Sequence, residues 1–428
     1  MGGNRMIKTH PNTASLIVTE DCNFACEYCF ETHRQNYMEP ETIKHAIDFL
    51  FLSGKDVDIT FFGGEPLLNI KALKAGLEHG RYMSQKTKRR FNVGIITNGS
   101  IYTQEIDDLL RNHLKTHTLS IQLSVDGPEH VQNIYRKTAK KKDSFHLIEK
   151  NIPKFKSLFK SPEYQHLNIH GVLGRKNLPF LFESYEYFKN VFKIPRIWFI
   201  PTHSESWEKE DVDLYKQELT KIYDDVLKDA KTLNSLTPVH NFSPLDKCLG
   251  KPHFTPSPCG AGKSYISITP NGEIYPCHHF YFNDPKKETL LGNIYKGLDY
   301  DKKLPFEIYD TKDLSCNLNN TCTAYHCYRC IADNWTQNKS FLGQPKGYRC
   351  EMSKIENSLQ IKLRKELEDM GLIKQVEPNQ KSNNNHTCLC NLGDPKNKKQ
   401  QDTQENLFAE ILYMMTQKLD NIERKLSS

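Results

Sequence analysis

The sequence predicts an α/β protein in which a parallel, barrel-like sheet is followed by a loop-rich, cysteine-dense segment. Short apolar runs alternate with helix-periodic stretches six times in the first 235 residues. Such alternation is typical of parallel sheets with right-handed crossovers. Eight of the thirteen cysteines then fall between residues 248 and 350, which sets this segment apart from the first.

The strands and helices of the first segment are defined by their apolar patterns and end signals. The predicted strands are 15–19, 57–62, 91–97, 119–125, 167–173 and 196–200, and the predicted helices are 40–52, 70–85, 103–114, 145–159 and 180–192. The first four strands each lead into glycine or polar residues. We expect these residues to meet at the carboxyl edge of the sheet, where ligands bind in α/β barrels. The predicted domains are residues 1–235, 236–355 and 356–428.

The net charge, the apolar runs and the cysteine content exclude several classes of protein. The formal net charge of +6 is small for 428 residues and does not indicate a nucleic-acid partner. No apolar run approaches the roughly 18 residues of a membrane span, and the first residues carry no signal sequence, so we expect a cytoplasmic chain with no membrane contact. Thirteen cysteines in such a compartment indicate metal binding rather than disulfides.

Three cysteines lie close together directly after the first strand. Cys22, Cys26 and Cys29 fall within eight residues, in a loop that can wrap three thiolates around one metal centre. A [4Fe–4S] cluster normally takes four cysteine ligands, one per iron, so three ligands would leave one iron open. The alternative is a closed structural zinc site with His33 as the fourth ligand.

Motifs at three successive strand ends resemble those of the radical S-adenosylmethionine (radical SAM) enzymes. They are the Cys-x3-Cys-x2-Cys triplet, Gly63-Gly64-Glu65-Pro66 and Thr97-Asn98-Gly99. The resemblance implies a partial (β/α)6 barrel that holds a [4Fe–4S] cluster and S-adenosylmethionine. Its open side would admit a substrate larger than a metabolite.

The resemblance also implies roles for individual residues in cofactor binding. Glycines 63 and 64 let the backbone approach a ligand closely, and the segment ending at Glu65 would hold the methionine amino group. Tyr28 matches the aromatic residue that helps to seat the adenine. Asn98 lies in the Thr-Asn-Gly motif, which matches a strand end that binds the cofactor. Ser124 and Arg136 match residues that contact the sugar and carboxylate, with a surface ion pair as the alternative for Arg136.

The cysteine-dense segment contains a predicted β-hairpin. Residues 264–275 alternate as a strand, a Pro-Asn-Gly turn and a returning strand, which places Cys259 and Cys277 near the two free ends. Eight cysteines also make two sets of four, enough for two fully ligated [4Fe–4S] clusters.

This segment resembles the SPASM module of peptide- and protein-modifying radical enzymes. The order of cysteines in that module assigns to the first auxiliary cluster Cys248, Cys259, Cys277 and Cys330. It assigns to the second Cys316, Cys322, Cys327 and Cys350. The spacings depart from the usual pattern, which leaves the assignment of Cys322 and Cys330 open. Zinc at one of the two sites is an alternative, because thiolate sets also suit zinc.

The last segment contains little apolar sequence. Residues 355–370 predict a charged helix whose apolar face is formed by Ile361, Leu363 and Leu367. Residues 379–404 have a composition typical of disorder. Cys388 and Cys390 within them are expected to be free thiols, with a transient metal or redox role as the alternative. Residues 406–426 predict a further helix, for which intramolecular packing is favoured over a partner site.

The resemblance implies three [4Fe–4S] clusters and cleavage of S-adenosylmethionine to a 5′-deoxyadenosyl radical that removes a substrate hydrogen. It implies a peptide substrate and an electron donor such as flavodoxin or ferredoxin. Only about a dozen residues precede the first strand, so we expect leader recognition to fall to the C-terminal tail, to a separate leader-binding protein or to nothing.

Three functions are considered: a maturase that forms a Cys thioether in a ribosomally made peptide, a sulfatase-type maturase that forms formylglycine, and a zinc-folded adaptor without activity. Cys277 is followed by His278, where sulfatase-type maturases have the Asp that acts as proton acceptor. A histidine could serve as that base, and Cys-His followed by an aromatic residue resembles thioether-forming maturases. We therefore favour thioether chemistry with His278 as base, while a histidine that only hydrogen-bonds near the cluster is the alternative.

Overall fold

The computed structural model describes residues 9–159, 166–194, 196–233, 239, 241, 259–308, 330–341 and 348–371. Ten strands within these ranges form one sheet in the order β10-β9-β8-β7-β1-β2-β3-β4-β5-β6. Their bounds are β1 Thr13–Thr19, β2 Val57–Gly63, β3 Phe91–Thr97, β4 Leu119–Ser124, β5 Leu167–Leu173, β6 Arg196–Pro201, β7 Tyr265–Ile268, β8 Glu273–Tyr275, β9 Gly292–Asn293 and β10 Gly297–Leu298.

Strands β1 to β6 are parallel neighbours in chain order, which confirms the predicted α/β class and the parallel sheet. Side chains on one face of the sheet are apolar and buried, among them Ile59, Val93 and Ile121, and they belong to the main hydrophobic core. Thr60, Gly94 and Ser120 are successive neighbours across β2, β3 and β4 on the other face, which is only half buried. This polar face is where a partial barrel would admit a ligand.

Twelve helices lie within the described ranges. They are α1 Pro40–Phe51, α2 Ile70–Thr87, α3 Gln104–Leu114, α4 Glu129–Tyr135, α5 Phe145–Glu149, α6 Ile152–Ser157, α7 Leu181–Tyr187, α8 Lys209–Leu233, α9 His278–Asn283, α10 Tyr300–Ile308, α11 Ile331–Asn338 and α12 Arg349–Asp369. No helix among them combines the length and apolar character that a membrane crossing requires.

Two predicted helices are interrupted. The helix expected at 145–159 is divided into α5 and α6, because Pro153 starts a new helix and the Asn151 side chain binds the carbonyls of Leu147 and Gly99. The helix expected at 180–192 consists of α7 between a 3₁₀ turn at Leu178–Phe180 and a π-helical turn at Phe188–Phe192.

The predicted hairpin is present as β7 and β8, and it joins the main sheet directly. Strand β7 pairs in parallel with β1, from Tyr265 beside Thr13 to Ile268 beside Leu16. β1 therefore lies between β2 and β7, and the hairpin extends the parallel sheet.

Helix α12 begins at Arg349, six residues before the predicted helix and inside the predicted second segment. It packs against α8, where Tyr215 hydrogen-bonds Glu356. Leu363 and Leu367 are buried as expected, but Ile361 is exposed, so the predicted apolar face is wrong at that residue. The predictions for residues 379–404 and 406–426, with Cys388 and Cys390, lie outside the described residues.

Candidate functional site

The triplet of cysteines lies in the loop between β1 and α1, which we call the cluster loop (residues 20–39). Backbone bonds from Ala25 to the Lys137 carbonyl at 2.8 Å and from Glu27 to the Tyr135 carbonyl at 3.0 Å hold this loop against the end of α4. Cys22, Cys26 and Cys29 are partly buried free thiols. The loop thus presents three thiols from a fixed backbone.

Burial raises the pKa of the Cys29 thiol to about 12, with a further contribution from Glu31, and burial also raises the pKa values of Cys22 and Cys26. Thiols in this environment are neutral unless a metal ion displaces their protons. Donors are directed at two of the sulfurs: Arg136 Nη1 lies 3.9 Å from Cys26 Sγ, and Asn98 Nδ2 lies 4.0 Å from Cys22 Sγ. Donors to sulfur stabilise and tune thiolate-ligated iron, so these residues fit a cluster.

The zinc alternative has less support from this geometry. Among the described residues, no three Cys, His, Asp or Glu side chains are arranged to hold a single metal ion. His33 Nε2 does lie 3.7 Å from Cys29 Sγ. A tetrahedral zinc ion needs its ligands to converge on one point, whereas a four-iron cluster takes each thiolate on a different iron.

Two glycines at the end of β2 form a close contact with the start of the cluster loop. A Cβ on Gly63 would lie 2.0 Å from the Thr19 carbonyl oxygen, and one on Gly64 would lie 2.2 Å from that of Asp21. Gly63 also has φ = 122°, which disfavours any other residue. The glycines therefore bring the backbone of β2 against the loop that carries the thiols.

Glu65 is completely buried, and its carboxylate is already bonded within the protein. Oε1 accepts from Leu67 N at 3.0 Å and from Thr97 Oγ1 at 2.8 Å, and Oε2 accepts from Asn98 N at 2.8 Å. Burial raises the pKa of Glu65 to about 7, and the three hydrogen bonds oppose this rise. Glu65 thus connects the ends of β2 and β3.

Asn98 extends this connection to the cluster loop. Its Nδ2 donates to Asn23 Oδ1 at 2.8 Å, and its Oδ1 accepts from both Ser100 N and Ser100 Oγ. Ser124 is the last residue of β4, half buried and beside His170 of β5. Both residues therefore lie at the carboxyl edge of the sheet, where the sequence pattern placed them.

Tyr28 and Arg136 meet at Asp126, a residue that the sequence analysis did not select. Arg136 Nε donates to Asp126 Oδ1 at 2.9 Å, and the Tyr28 hydroxyl donates to Asp126 Oδ2 at 2.6 Å. The guanidinium also lies over the Tyr28 ring, 5.3 Å from its centroid. Arg136 is therefore in an ion pair, but a buried one beneath Cys26 rather than the surface pair considered as the alternative. The Asp-Gly-Pro turn directly after β4 is the feature of the sequence by which Asp126 could have been found.

A second group of thiols lies at the hairpin. Burial raises the pKa of Cys277, and the neighbouring Cys330 and Cys259 raise it further; the pKa of Cys330 is raised to about 11. Cys259 and Cys330 are therefore near enough to Cys277 to affect its charge, although these three thiols do not converge on a single metal ion. Cys350 lies in the first turn of α12. The remaining predicted ligands, Cys248, Cys316, Cys322 and Cys327, lie outside the described residues.

Helix α9, which begins directly after Cys277, packs on the cluster loop. His279 stacks on Phe30 with ring centroids 4.0 Å apart, and the Tyr281 hydroxyl donates to Glu20. The ring of His278 lies 4.3 Å from that of Phe62, the residue before Gly63. Two groups of thiols far apart in sequence are thus connected through one short helix.

His278 is half buried in the first turn of α9. Burial lowers its pKa to about 4, and its Nδ1 lies 3.1 Å from the Tyr265 hydroxyl. Tyr265 in turn hydrogen-bonds Ser15 of β1. The Tyr265 hydroxyl, itself bonded to Ser15, fixes the orientation of the ring. The neutral ring nitrogen can accept a proton, but its lowered pKa makes it a weaker base than an ordinary histidine.

Part of the chain matches a known protein family, and several known proteins are similar to it. Residues 16–177 match the family model of the Radical SAM superfamily. The radical SAM cyclopropyl synthase TigE of Paramaledivibacter caminithermalis is 23% identical over 61% of this chain and 56% of its own length. The serine-type anaerobic sulfatase-maturating enzyme of Bacteroides thetaiotaomicron is 26% identical over 64% of this chain and 70% of its own.

Solved structures share the fold. The structure of anSMEcpe with bound AdoMet superimposes with a TM-score of 0.66 at 20% identity, over 84% of this chain and 96% of that one. anSMEcpe with bound AdoMet and Cp18Cys peptide superimposes with a TM-score of 0.64 at 20% identity, over 84% of this chain and 99% of that one. The match to TigE, by contrast, spans only about half of that relative.

Proposed function

Because residues 16–177 form a radical SAM domain and the chain is an enzyme of that superfamily, we propose that it is a peptide maturase that forms a thioether on a cysteine-containing, ribosomally made peptide. S-adenosylmethionine, when bound, supplies the 5′-deoxyadenosyl radical that removes hydrogen from the substrate. The three thiols of the cluster loop would hold the [4Fe–4S] cluster, and the glycine segment would hold the cofactor.

The observation that carries this proposal is the packing of α9. It places His278, next to a thiol of the second group, beside Phe62 at the glycine segment. A site that bonds a substrate sulfur to a carbon needs a proton acceptor close to the cofactor and an electron acceptor beyond it. α9 lies between the two groups of thiols and carries such a proton acceptor.

The proposed reaction balances as an oxidation by two electrons. The substrate C–H bond loses its hydrogen atom to the deoxyadenosyl radical, and the substrate thiol loses its proton to His278. As the new C–S bond forms, one electron would leave the substrate, and Cys259, Cys277 and Cys330 would hold the auxiliary cluster that accepts it. Tyr265 keeps the His278 ring in one orientation during this proton transfer.

A second candidate is formylglycine formation, which the similarity to sulfatase-maturating enzymes favours. The cysteine-type enzyme of Clostridium perfringens is 26% identical over 65% of this chain and 77% of its own length. In that reaction His278 would accept the proton of the substrate thiol or hydroxyl, as the carbon radical is oxidised. A zinc-folded adaptor without activity is no longer a candidate, since the chain is an enzyme.

Mass spectrometry of candidate peptides encoded near the gene, incubated anaerobically with reconstituted enzyme, distinguishes these functions. A thioether product is two mass units lighter than its substrate and resists thiol alkylation, because its sulfur is consumed. An aldehyde at the modified Cys or Ser, trapped by a hydrazine reagent, would instead establish formylglycine formation. His278→Gln should slow product formation while cofactor cleavage continues.

We further propose a cytoplasmic enzyme that receives electrons from a flavodoxin or ferredoxin and works with a separate leader-binding protein. The peptide bound to anSMEcpe, whose fold this chain shares, supports the peptide class of substrate. A pull-down with the peptide, with and without its leader, tests whether the chain alone recognises it.

A further inference from the structure

A tight, lysine-rich turn is bonded to the cluster loop. It consists of residues 137–143, Lys-Thr-Ala-Lys-Lys-Lys-Asp, and we call it the lysine turn. Backbone bonds close it from Thr138 N to the Lys142 carbonyl at 2.9 Å and from Lys141 N to the Thr138 carbonyl at 2.7 Å. Lys141 has a left-handed backbone, with φ = 58°. The turn therefore has a defined conformation.

Two backbone hydrogen bonds hold the lysine turn against the cluster loop. The Lys137 carbonyl accepts from Ala25 N at 2.8 Å, and Ala139 N donates to the Asn23 carbonyl at 2.9 Å. Ala25, which lies between the first two cysteines of the triplet, is itself exposed. The turn thus flanks an exposed stretch of the loop that carries the thiols.

Three lysines of the turn present positive charge to the surface. Lys137 forms an ion pair with Asp143 at 2.5 Å, so these two charges cancel. Lys140, Lys141 and Lys142 are exposed, and no ion pair within the described ranges includes them. Three adjacent positive charges on a turn of fixed shape create a local potential that attracts an acidic surface.

The lysine turn and α9 contact different residues of the cluster loop. α9 contacts Glu20 and Phe30, whereas the turn contacts Asn23 and Ala25. Under the proposed function the peptide reacts beside α9, which leaves the turn free for a second partner. Reductive cleavage of S-adenosylmethionine needs one electron from outside the chain, and that electron has to enter through a surface close to the cluster loop.

We propose that the lysine turn is the docking surface for an acidic one-electron carrier protein, of the flavodoxin or ferredoxin class, which supplies this electron. The inference rests on the proposed function, because only an enzyme that cleaves S-adenosylmethionine needs it. Complementary charge identifies the partner's surface as acidic. Complexes of electron carriers are small and transient, and a short turn beside an exposed loop offers a contact of that kind.

Charge reversal at the turn tests the proposal. Lys140→Glu, Lys141→Glu and Lys142→Glu are combined in one variant, and formation of 5′-deoxyadenosine is measured on anaerobically reconstituted protein with two reductants. One is dithionite, which needs no docking surface, and the other is an acidic flavodoxin kept reduced by NADPH and its reductase. We expect the KM for flavodoxin to rise roughly tenfold or more, since steering by charge changes association rates by about 10 to 10³. The rate with dithionite should stay close to that of the wild type.

The matched control reverses three charges at the opposite edge of the sheet. Lys86, Lys88 and Arg89 lie at the end of α2 and before β3, and Lys88 shares with Lys141 a φ of 58°. Either set of three reversals takes the formal net charge of the chain from +6 to 0. Lys86→Glu, Lys88→Glu and Arg89→Glu together should leave the KM for flavodoxin unchanged, so a rise in the turn variant reports the position of the charges.

Binding is also measured without turnover. A carbodiimide joins an amine to a carboxylate that touches it, so it should cross-link flavodoxin to residues 137–143 of the wild-type enzyme. Cross-linking should decrease at high ionic strength, because salt screens exposed charges. Iron content is measured for every variant. If the Glu variant does not retain its iron, replacement of the same three lysines by Gln takes its place, and it must also raise the KM for flavodoxin.

An unchanged KM for flavodoxin, an equal rise in the control variant, or cross-links confined to other lysines would overturn the proposal. So would an equal loss of rate with both reductants at full iron content, which would show a structural role. A KM that rises for the peptide but not for flavodoxin would assign the turn to the substrate instead. All these results leave the proposed function intact, provided that the wild type forms 5′-deoxyadenosine with dithionite. A wild type that forms none would instead refute the proposed function.

Discussion

At the scale of single residues, the geometry of the site depends on two glycines, because these residues lack a Cβ atom. Gly63 and Gly64 have no Cβ, and this allows the end of β2 to touch the carbonyls of Thr19 and Asp21. Glu65, the next residue, donates from its backbone to the Asp21 carbonyl at 2.9 Å and accepts from Asn98 N at 2.8 Å. Any larger residue at these positions has to displace backbone, not a flexible side chain.

Gly63→Ala should therefore be strongly destabilising. A non-glycine residue in a sparsely populated backbone conformation costs about 1–3 kcal/mol, and the clash at 2.0 Å adds to that cost. We expect a clear fall in the midpoint of thermal unfolding, followed by circular dichroism, or failure to accumulate folded protein.

Gly54→Ala is the control, because Gly54 also has a positive φ, of 66°, but a Cβ there would meet no atom within 4 Å. It should cost only about 1–2 kcal/mol, the penalty of a left-handed backbone alone. Equal shifts for the two variants would show that the contact between β2 and the cluster loop is unimportant for stability.

The sequence predicts which residues lie together at the site better than it predicts the role of each residue. Cys22, Gly63, Asn98 and Arg136 were selected from motifs, and the structure places all four around the cluster loop. The partners that set their roles come from elsewhere in the chain. Asp126, for example, orients Tyr28 and Arg136 only because β4 ends beside β5 and the loop.

At the scale of elements, α9 is the main connection between the hairpin and the cluster loop. Its first, second and fourth residues contact Phe62, Phe30 and Glu20 respectively. Phe280, on its other side, is fully buried against Phe306, Trp335 and Phe341. α9 is thus held on two sides by different parts of the molecule.

Phe30→Ala should loosen α9 from the cluster loop without unfolding it, because only the stacked ring is lost. Hydrogen exchange followed by mass spectrometry should show faster exchange in residues 278–283, while peptides from β3 and β4 remain unchanged. Tyr82→Ala removes an exposed aromatic ring in α2 and serves as control. Unchanged exchange in α9 would mean that the other contacts of the helix, those of His278, Phe280 and Tyr281, hold it in place without Phe30.

Elements were predicted well where one periodic pattern covered the whole element. Strands 91–97 and 167–173 have the predicted bounds, since alternating buried and half-buried residues define them. Helix α8 was missed although Val212, Tyr215, Leu219 and Ile222 recur at helical spacing and are buried. The pairing of β7 with β1 had no local signal, because it joins residues about 250 apart in sequence.

At the scale of the whole molecule, the cysteines are expected to hold three clusters. The stoichiometry of four irons in each [4Fe–4S] cluster predicts roughly twelve irons per chain after anaerobic reconstitution. Replacing Cys22, Cys26 and Cys29 together by Ala should remove about a third of this iron and abolish formation of 5′-deoxyadenosine. Iron assay and chromatography measure the two effects.

Replacing Cys388 and Cys390 together by Ala is the matched control, since both are predicted to be free thiols, and it should leave iron and cleavage unchanged. Cys330→Ala should lower the iron content only at the cluster that Cys330 shares with Cys259 and Cys277. Continued formation of 5′-deoxyadenosine in the triple variant would refute the assignment of the cluster loop.

The position of β1 has a consequence for how the chain is made. β1 is nearly fully buried, yet one of its two neighbours, β7, is synthesised about 250 residues later. At roughly 5–20 residues per second, the ribosome reaches β7 some 12 to 50 seconds after β1. During this time β1 has an unpaired edge, which is a hazard for aggregation. Production of this protein should therefore benefit from slow expression at low temperature or from chaperones that cover that edge.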